Sequence, residues 1–294
     1  MKVNGVKAWF LAARPKTLTG AAAPVLMGGA FAFHSIQDLE ILPFLLCLLF
    51  AFIMQIDSNF VNDYFDFLKG SDREDRLGPD RACAQGWVTV NAMRIAIALT
   101  TLLACIVGFP LILWGGLELI LVGIVCVLFC FLYTTRLSYL GYGDLLVLIF
   151  FGVVPVCITY YVLTGSLDWT VCVSSIACGV ATDCLLMVNN YRDRNQDVVS
   201  GKRTLVVRFG KTFGLRMYLW LGITAFLLGV VSLIVATRLW YAFLPLLLYV
   251  CCHLIVYRKM TVIDGKALNG VLGATARNIL LFALLFSLSL CLNI

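Results

Sequence analysis

Charge is scarce in this chain. Charged residues make up 13% of its 294 positions and hydrophobic ones 62%, where a soluble domain carries about 25% charge. That shortage excludes an ordinary water-soluble domain. Histidine is nearly absent, with only His34 and His253, and the 12 cysteines contain no Cys-x-x-Cys pair. A Cys/His zinc site is therefore not expected, and most of the cysteines fall inside apolar stretches, where a thiol packs as a small hydrophobe. The start lacks a small-residue cleavage site, which argues against a removable secretory leader. "GKRT" at 201–204 has Gln at 196, where a phosphate loop needs glycine, so that motif is absent too.

What the chain does have is apolar runs, each of roughly 20 residues and long enough to cross a ~30 Å hydrocarbon core. Nine are expected, at about 17–35, 41–66, 90–114, 117–134, 145–163, 170–190, 214–236, 239–257 and 276–292. The fold class is all-α: a polytopic bundle of about nine transmembrane helices in the lipid bilayer, one domain over 1–294. With the N-terminus cytoplasmic, every one of the 22 basic residues except Arg238 falls on the cytoplasmic side. Such asymmetry is the positive-inside pattern, so the net charge of +6 reflects topology and implies no nucleic-acid partner.

Two cytoplasmic motif loops, about 62–89 and 189–213, carry the polar residues. "NDYFDFLKGSD" begins at Asn62 and "NNYRDRNQD" at Asn189. Asn59, Asn62, Asp63 and Asp66 are spaced i, i+3, i+4 and i+7, one continuous helical face. Asn189, Asn190, Asp193 and Asp197 share a side in the same way, and Asp72, Glu74 and Asp75 follow the first cluster. Ionisable residues at membrane depth cost ~2.5–3.5 kcal/mol and so face an interior cavity. Aligning Asn62 with Asn189 sets Tyr64 over Tyr191 and Asp66 over Asp193, a pseudo-repeat that would bring both clusters across one cavity. Clustered carboxylates repel unless cations intervene, and an oxygen-only donor set selects a hard cation such as Mg²⁺. Arg14, Arg76, Arg81, Arg136, Lys202 and Arg203 lie nearby in sequence. Acids for metal and bases for direct anion contact suit a phosphate-bearing ligand. The adjoining bundle is apolar, so a lipid diphosphate meets both needs.

These residues resemble the UbiA superfamily of intramembrane prenyltransferases, whose pattern is NDxxDxxxD after the second helix and DxxxD after the sixth. Asn62, Asp63 and Asp66 match the first motif and Asp193 and Asp197 the second; Gly70 stands at the first motif's last acid, with Asp72 two residues on. "ARPKTL" (13–18), "RLGPDR" (76–81), "YLGYGD" (139–144) and "GKRTLVVRFG" (201–210) are similar to the 1,4-dihydroxy-2-naphthoate polyprenyltransferase branch. The likeness covers about 13–210.

It implies Mg²⁺-dependent transfer of a prenyl group from polyprenyl diphosphate to 1,4-dihydroxy-2-naphthoate with loss of CO₂, at the cytoplasmic face of a bacterial inner membrane. Acceptors such as 4-hydroxybenzoate, or a membrane transporter, remain as alternatives. The roles implied are metal ligation by Asn62, Asp66, Asp193 and Asp197, with Asp63 and Asp72 as further catalytic acids. Lys202 and Arg203 would hold the diphosphate, helped by Arg136, Arg76 and Arg81. Arg14, Asn59, Asn190 and Tyr191 would face the aromatic acceptor, although Arg14 and Tyr191 read equally as membrane-interface anchors. The family's tyrosine-plus-lysine pair is incomplete, with Tyr133 present and Leu137 at the lysine position. Asp144 either orients substrate or caps a helix.

Overall fold

The computed structural model describes residues 2–71 and 76–292. The apolar runs form helices: α1 (Val6–Ala13), α2 (Leu18–Ile36), α3 (Ile41–Leu68), α4 (Val90–Gly115), α5 (Glu118–Leu140), α6 (Gly143–Thr164), α7 (Trp169–Val199), α8 (Lys211–Thr237), α9 (Leu246–Val262) and α10 (Gly265–Leu292). No strand occurs among the described residues. Polar residues set several of the starts. Asp168 caps α7 by accepting the Thr170 N–H at 2.7 Å, and Thr89 caps α4 by accepting from Ala92 at 3.3 Å, each satisfying an otherwise orphaned donor.

Among the described residues, seven helices are long and apolar enough to cross a membrane: α3 to α8, and α10. The other two expected spans are helical but are not among the seven. Helix α9 has only 17 residues, and α2, a continuous helix of 19 residues, is made less apolar by Pro24, Gly20, Gly28, Gly29 and His34.

Helix α7 is the centre of the bundle. It packs against α2, α6, α8 and α10, and 67% of its apolar stretch is buried, against 6% for α5. Small residues allow that burial, because backbones approach closely where side chains end early. A Cβ at Gly152 of α6 would stand 2.6 Å from the Gly179 Cα of α7. Helices α8, α9 and α10 follow as neighbours, and α10 packs on α2 to close the bundle. Between α3 and α4 the fully buried Asp57 accepts from Thr100 and, at 2.9 Å, from Thr101, a polar tie that the sequence reading passed over.

Both motif helices run further than expected. Helix α7 continues through Val199, so Asn189 to Asp197 is helix and not loop, and α3 reaches Leu68. Each ends in the same glycine turn. After α3, Ser71 N–H reaches Asp66 C=O and Gly70 N–H reaches Phe67 C=O, both at 3.0 Å. After α7, Lys202 N–H reaches Asp197 C=O at 2.9 Å and Gly201 N–H reaches Val198 C=O at 3.2 Å. This is the paired helix-end closure that requires a left-handed residue, and Gly70 and Gly201 have φ of 67° and 73°. The turn explains why glycine stands at 70 in place of the third acid. It also corrects the internal alignment: by helix end, Asp66 corresponds to Asp197, one turn away from the Asp66/Asp193 pairing expected from sequence.

Candidate active site

The end of α3 supplies the first half of the site. Asp66 is buried, lies 3.5 Å from the Arg81 Nη2, and receives a bond from the Tyr139 hydroxyl at 3.4 Å. Ser71 Oγ is 2.7 Å from that hydroxyl. One turn back, Asn62 Oδ1 accepts from Thr134 on α5.

Asp63, expected among the catalytic acids, is bonded to the backbone. Its oxygens accept the Ala82 and Cys83 N–H groups at 2.8 and 2.9 Å, and both thereby clamp the 76–89 loop beneath the helix end. Asn59 differs in the same way. Its amide donates to Ala13 C=O at 2.9 Å and Thr17 Oγ1 at 3.0 Å, which fixes the turn between α1 and α2. Arg14 sits in that turn at φ 50°, a conformation that costs a non-glycine residue energy and persists where its surroundings enforce it. Asp72, expected among the catalytic acids, lies outside the described residues, as do Glu74 and Asp75.

The end of α7 supplies the second half. Arg192, buried, grips Asp193 with Nε at 2.7 Å and Nη2 at 2.6 Å, and donates through Nη1 to Asn269 at 2.8 Å. Asn269 in turn donates to Leu77 C=O at 2.8 Å, so the loop clamped by Asp63 also rests on the second motif. Asp197 is buried, and Lys202, Asp193, Asp66 and Arg192 all lie within electrostatic range of it. Tyr133, from α5, stands within range of both Asp66 and Asp197, and of Asp144 and Asp183. Asp66 and Asp197, one from each half, thus lie within electrostatic range of each other and of one tyrosine.

The cations are distributed differently from expectation. Lys202 stands 5.1 Å over the Tyr139 ring, on the Asp197 side, and Arg81 faces Asp66. Arg136 and Arg203 are exposed and have no hydrogen bond or ion pair from their side chains among the described residues; the Arg203 backbone N–H is pinned to Tyr139 C=O at 3.0 Å. Arg76 donates to Pro79 C=O at 3.0 Å within its own loop. Tyr191 is 1% exposed and packs with Val206 and Tyr218, with Arg194 over its ring. Its ring lies in the core. Asn190 is buried on the same helix.

Lys69 is the residue that sequence reasoning missed. Its ammonium donates to Thr134 C=O at 3.1 Å and Thr135 C=O at 2.6 Å, and lies 3.9 Å over the Tyr139 ring. Residues Tyr133–Leu137 form a widened helical turn, with Ser138 N–H reaching back to Tyr133 C=O. Such bulges recur at functional sites, and this one presents carbonyls for an ammonium where Leu137 offers none. Desolvation holds the Lys69 ammonium below the ordinary lysine range; Asp66 opposes that effect and Lys202 adds to it. The signal was available in principle, because Asn62, Asp66 and Lys69 continue one helical face at i, i+4 and i+7.

Among the described residues, no three acidic, histidine or cysteine side chains are gathered closely enough to hold a metal ion alone. The acids instead sit against arginine and lysine. That arrangement suits a hard cation held by one or two carboxylates and completed by phosphate oxygens and water.

The model of the UbiA prenyltransferase family matches residues 21–272. The chain is 33% identical to the 1,4-dihydroxy-2-naphthoate octaprenyltransferase of Escherichia coli, over 99% of this chain and 97% of that protein. It is 36% identical to the protein of that name from Mycobacterium tuberculosis, over 69% of this chain and 70% of that one. The fold is similar to a UbiA homologue from Archaeoglobus fulgidus solved with GPP and Mg²⁺, with TM-score 0.66 at 15% identity over 97% and 99% of the two chains. It is also similar to the apo UbiA homologue of Aeropyrum pernix, with TM-score 0.68 at 14% identity over 93% and 97%.

Proposed function

We propose, for a chain that belongs to the UbiA prenyltransferase family, transfer of a polyprenyl group from polyprenyl diphosphate to 1,4-dihydroxy-2-naphthoate with loss of CO₂, giving demethylmenaquinol. The observation that carries this reading is the relative of that activity matched along 99% of the chain. Asp66 and Asp197 lie within electrostatic range of Tyr133, and Asp193 and Lys202 within range of Asp197; these residues make up the site that supports it.

Mg²⁺ fits the donor set. Asp66 and Asp197, with Asn62 Oδ1 and Asp193, are its candidate ligands, one or two carboxylates at a time with phosphate oxygens and water completing the set, and it would neutralise the charge that develops on the departing pyrophosphate. Arg81 and Arg192 presently balance Asp66 and Asp193, which keeps both acids paired. Lys202 and Lys69 bracket the Tyr139 ring, and both are assigned to the diphosphate oxygens, as preorganised donors that strengthen with leaving-group charge. Asn59 holds the turn that carries Arg14, and Arg14 is assigned to the acceptor's carboxylate. Attack by the carboxyl-bearing ring carbon on the allylic carbon forms the new C–C bond. The C–CO₂ bond then breaks, and its electron pair restores the aromatic ring. The apolar bundle keeps water from the allylic cation.

The charge pattern of the loops supports a site at the cytoplasmic face of a cell membrane, inner where there are two, and is the argument for nine spans with the N-terminus inside. Purified protein given polyprenyl diphosphate and dihydroxynaphthoate forms prenylated product only with divalent metal, and Asp66→Ala or Asp193→Ala abolishes it. Full turnover in EDTA would overturn the metal assignment.

A further inference from the structure

Apart from Asp57, which Thr100 and Thr101 satisfy, one buried acid of the bundle has no part in the motifs. Asp183 lies on α7, 10 residues before Asp193, roughly 15 Å along a helix axis and inside the apolar part of the bundle. It is 4% exposed, and its Oδ1 has no hydrogen-bond partner. Asp144, in the first turn of the facing α6, is within electrostatic range of it, and its Oδ1 also lacks a partner. The two helices touch at this level: a Cβ on Gly143 would stand 3.2 Å from Leu186 Cδ2. Tyr133 links this pair to Asp66 and Asp197, since all four acids lie within range of its hydroxyl.

A carboxyl oxygen that is buried and unpaired lacks a donor. The diphosphate cannot supply one, being an anion that these acids repel, and neither can the prenyl tail, which has no O–H or N–H. Of the proposed reactants, only the aromatic acceptor carries hydroxyl groups. Its carboxylate is repelled here, and so turns toward the cations.

We propose that Asp183, with Asp144, accepts a hydrogen bond from a ring hydroxyl of the acceptor, and so sets the orientation in which the carboxyl-bearing carbon faces the allylic carbon. The inference rests on the naphthoate reading above.

The test compares 1,4-dihydroxy-2-naphthoate with 1-hydroxy-2-naphthoate and 4-hydroxy-2-naphthoate, each lacking one hydroxyl, in the wild type, Asp183→Asn and Asp144→Asn. A hydrogen bond to a charged group corresponds to roughly a 10- to 100-fold preference. The wild type is expected to favour the dihydroxy compound over one of the two by that factor in the acceptor KM, since loss of the 1-hydroxyl also lowers kcat by deactivating the attacking carbon. Asp183→Asn should lose the preference through a raised KM for the acceptor, with the KM for the diphosphate unchanged. A wild type that does not discriminate overturns the inference even if the variants fail to fold. So does an Asp183→Asn enzyme that still discriminates, or one in which kcat alone falls with every acceptor, which would mark Asp183 as acting on the allylic cation. Absence of product from the wild type with any naphthoate marks failure of the reaction assigned above, a separate outcome.

Discussion

Replacing Asp63 with alanine removes the acceptor of two backbone bonds, from Ala82 at 2.8 Å and Cys83 at 2.9 Å. The side chain is 1% exposed, so water replaces it poorly. Each bond to a charged acceptor contributes ~1.5–3 kcal/mol, so the pair holds the 76–89 loop by about 3–6 kcal/mol. At 1.4 kcal/mol per tenfold, the loop's opening constant should rise roughly a hundredfold to ten-thousandfold. Hydrogen exchange read by mass spectrometry on peptides spanning Ala82 and Cys83 measures this directly. Asp63→Asn should fall between, because it keeps one acceptor oxygen and sets an amide against the other N–H. Asp66→Asn should leave exchange at those amides near wild type while abolishing prenyl transfer, because among the described residues the side chain of Asp66 meets the loop at Arg81, 3.5 Å away. Activity loss in Asp63→Ala with unchanged exchange at 82–83 would refute the clamp and return Asp63 to the chemistry.

Lys69→Arg should move the alkaline limb of the pH–rate profile upward. The Lys69 ammonium is held below the ordinary lysine range, by desolvation first, so it loses charge early, whereas a guanidinium stays protonated; an unmoved limb would remove Lys69 from the diphosphate. Asp264 is bonded by Arg194 and Lys211, both at 2.8 Å, and these bonds depress its carboxyl. Its stabilising contribution is therefore present above the ordinary aspartate range and lost as pH falls below it. Asp264 is half exposed, so Asp264→Asn should cost under about 1 kcal/mol in chemical unfolding, and less in high salt. Gly141→Ala should disrupt the site at a distance. Gly141 has φ 90° and a Cβ there would clash with the Arg203 carbonyl, so the segment carrying Lys202 must shift and the KM for diphosphate should rise.

Much of this was legible along the chain. Helix α3 with Asn62 and Asp66, and α7 with Asp193 and Asp197, stand where the apolar runs and the motifs put them. Spacing along one helix is local and repeats every 3.6 residues, so it is written in the sequence. What was not legible is which partner each polar group meets. Asp63 and Asp66 are both motif acids, yet one spends its oxygens on backbone amides 19 and 20 residues away and the other faces Arg81 and Tyr139. Tyr191 looked like a wet aromatic and is core.

The sequence by itself determined that this chain is a membrane-spanning helical bundle with two acidic helix ends, because hydrophobic length and helical period depend only on neighbours in the chain. The tertiary structure alone decided that Asp66 pairs in register with Asp197, that Lys69 serves the turn at Thr134 and Thr135, and that Asp183 faces Asp144. Those contacts depend on how far each helix runs before its glycine turn and on how closely small residues let α6 and α7 approach. Both are properties of packing, which no single segment contains.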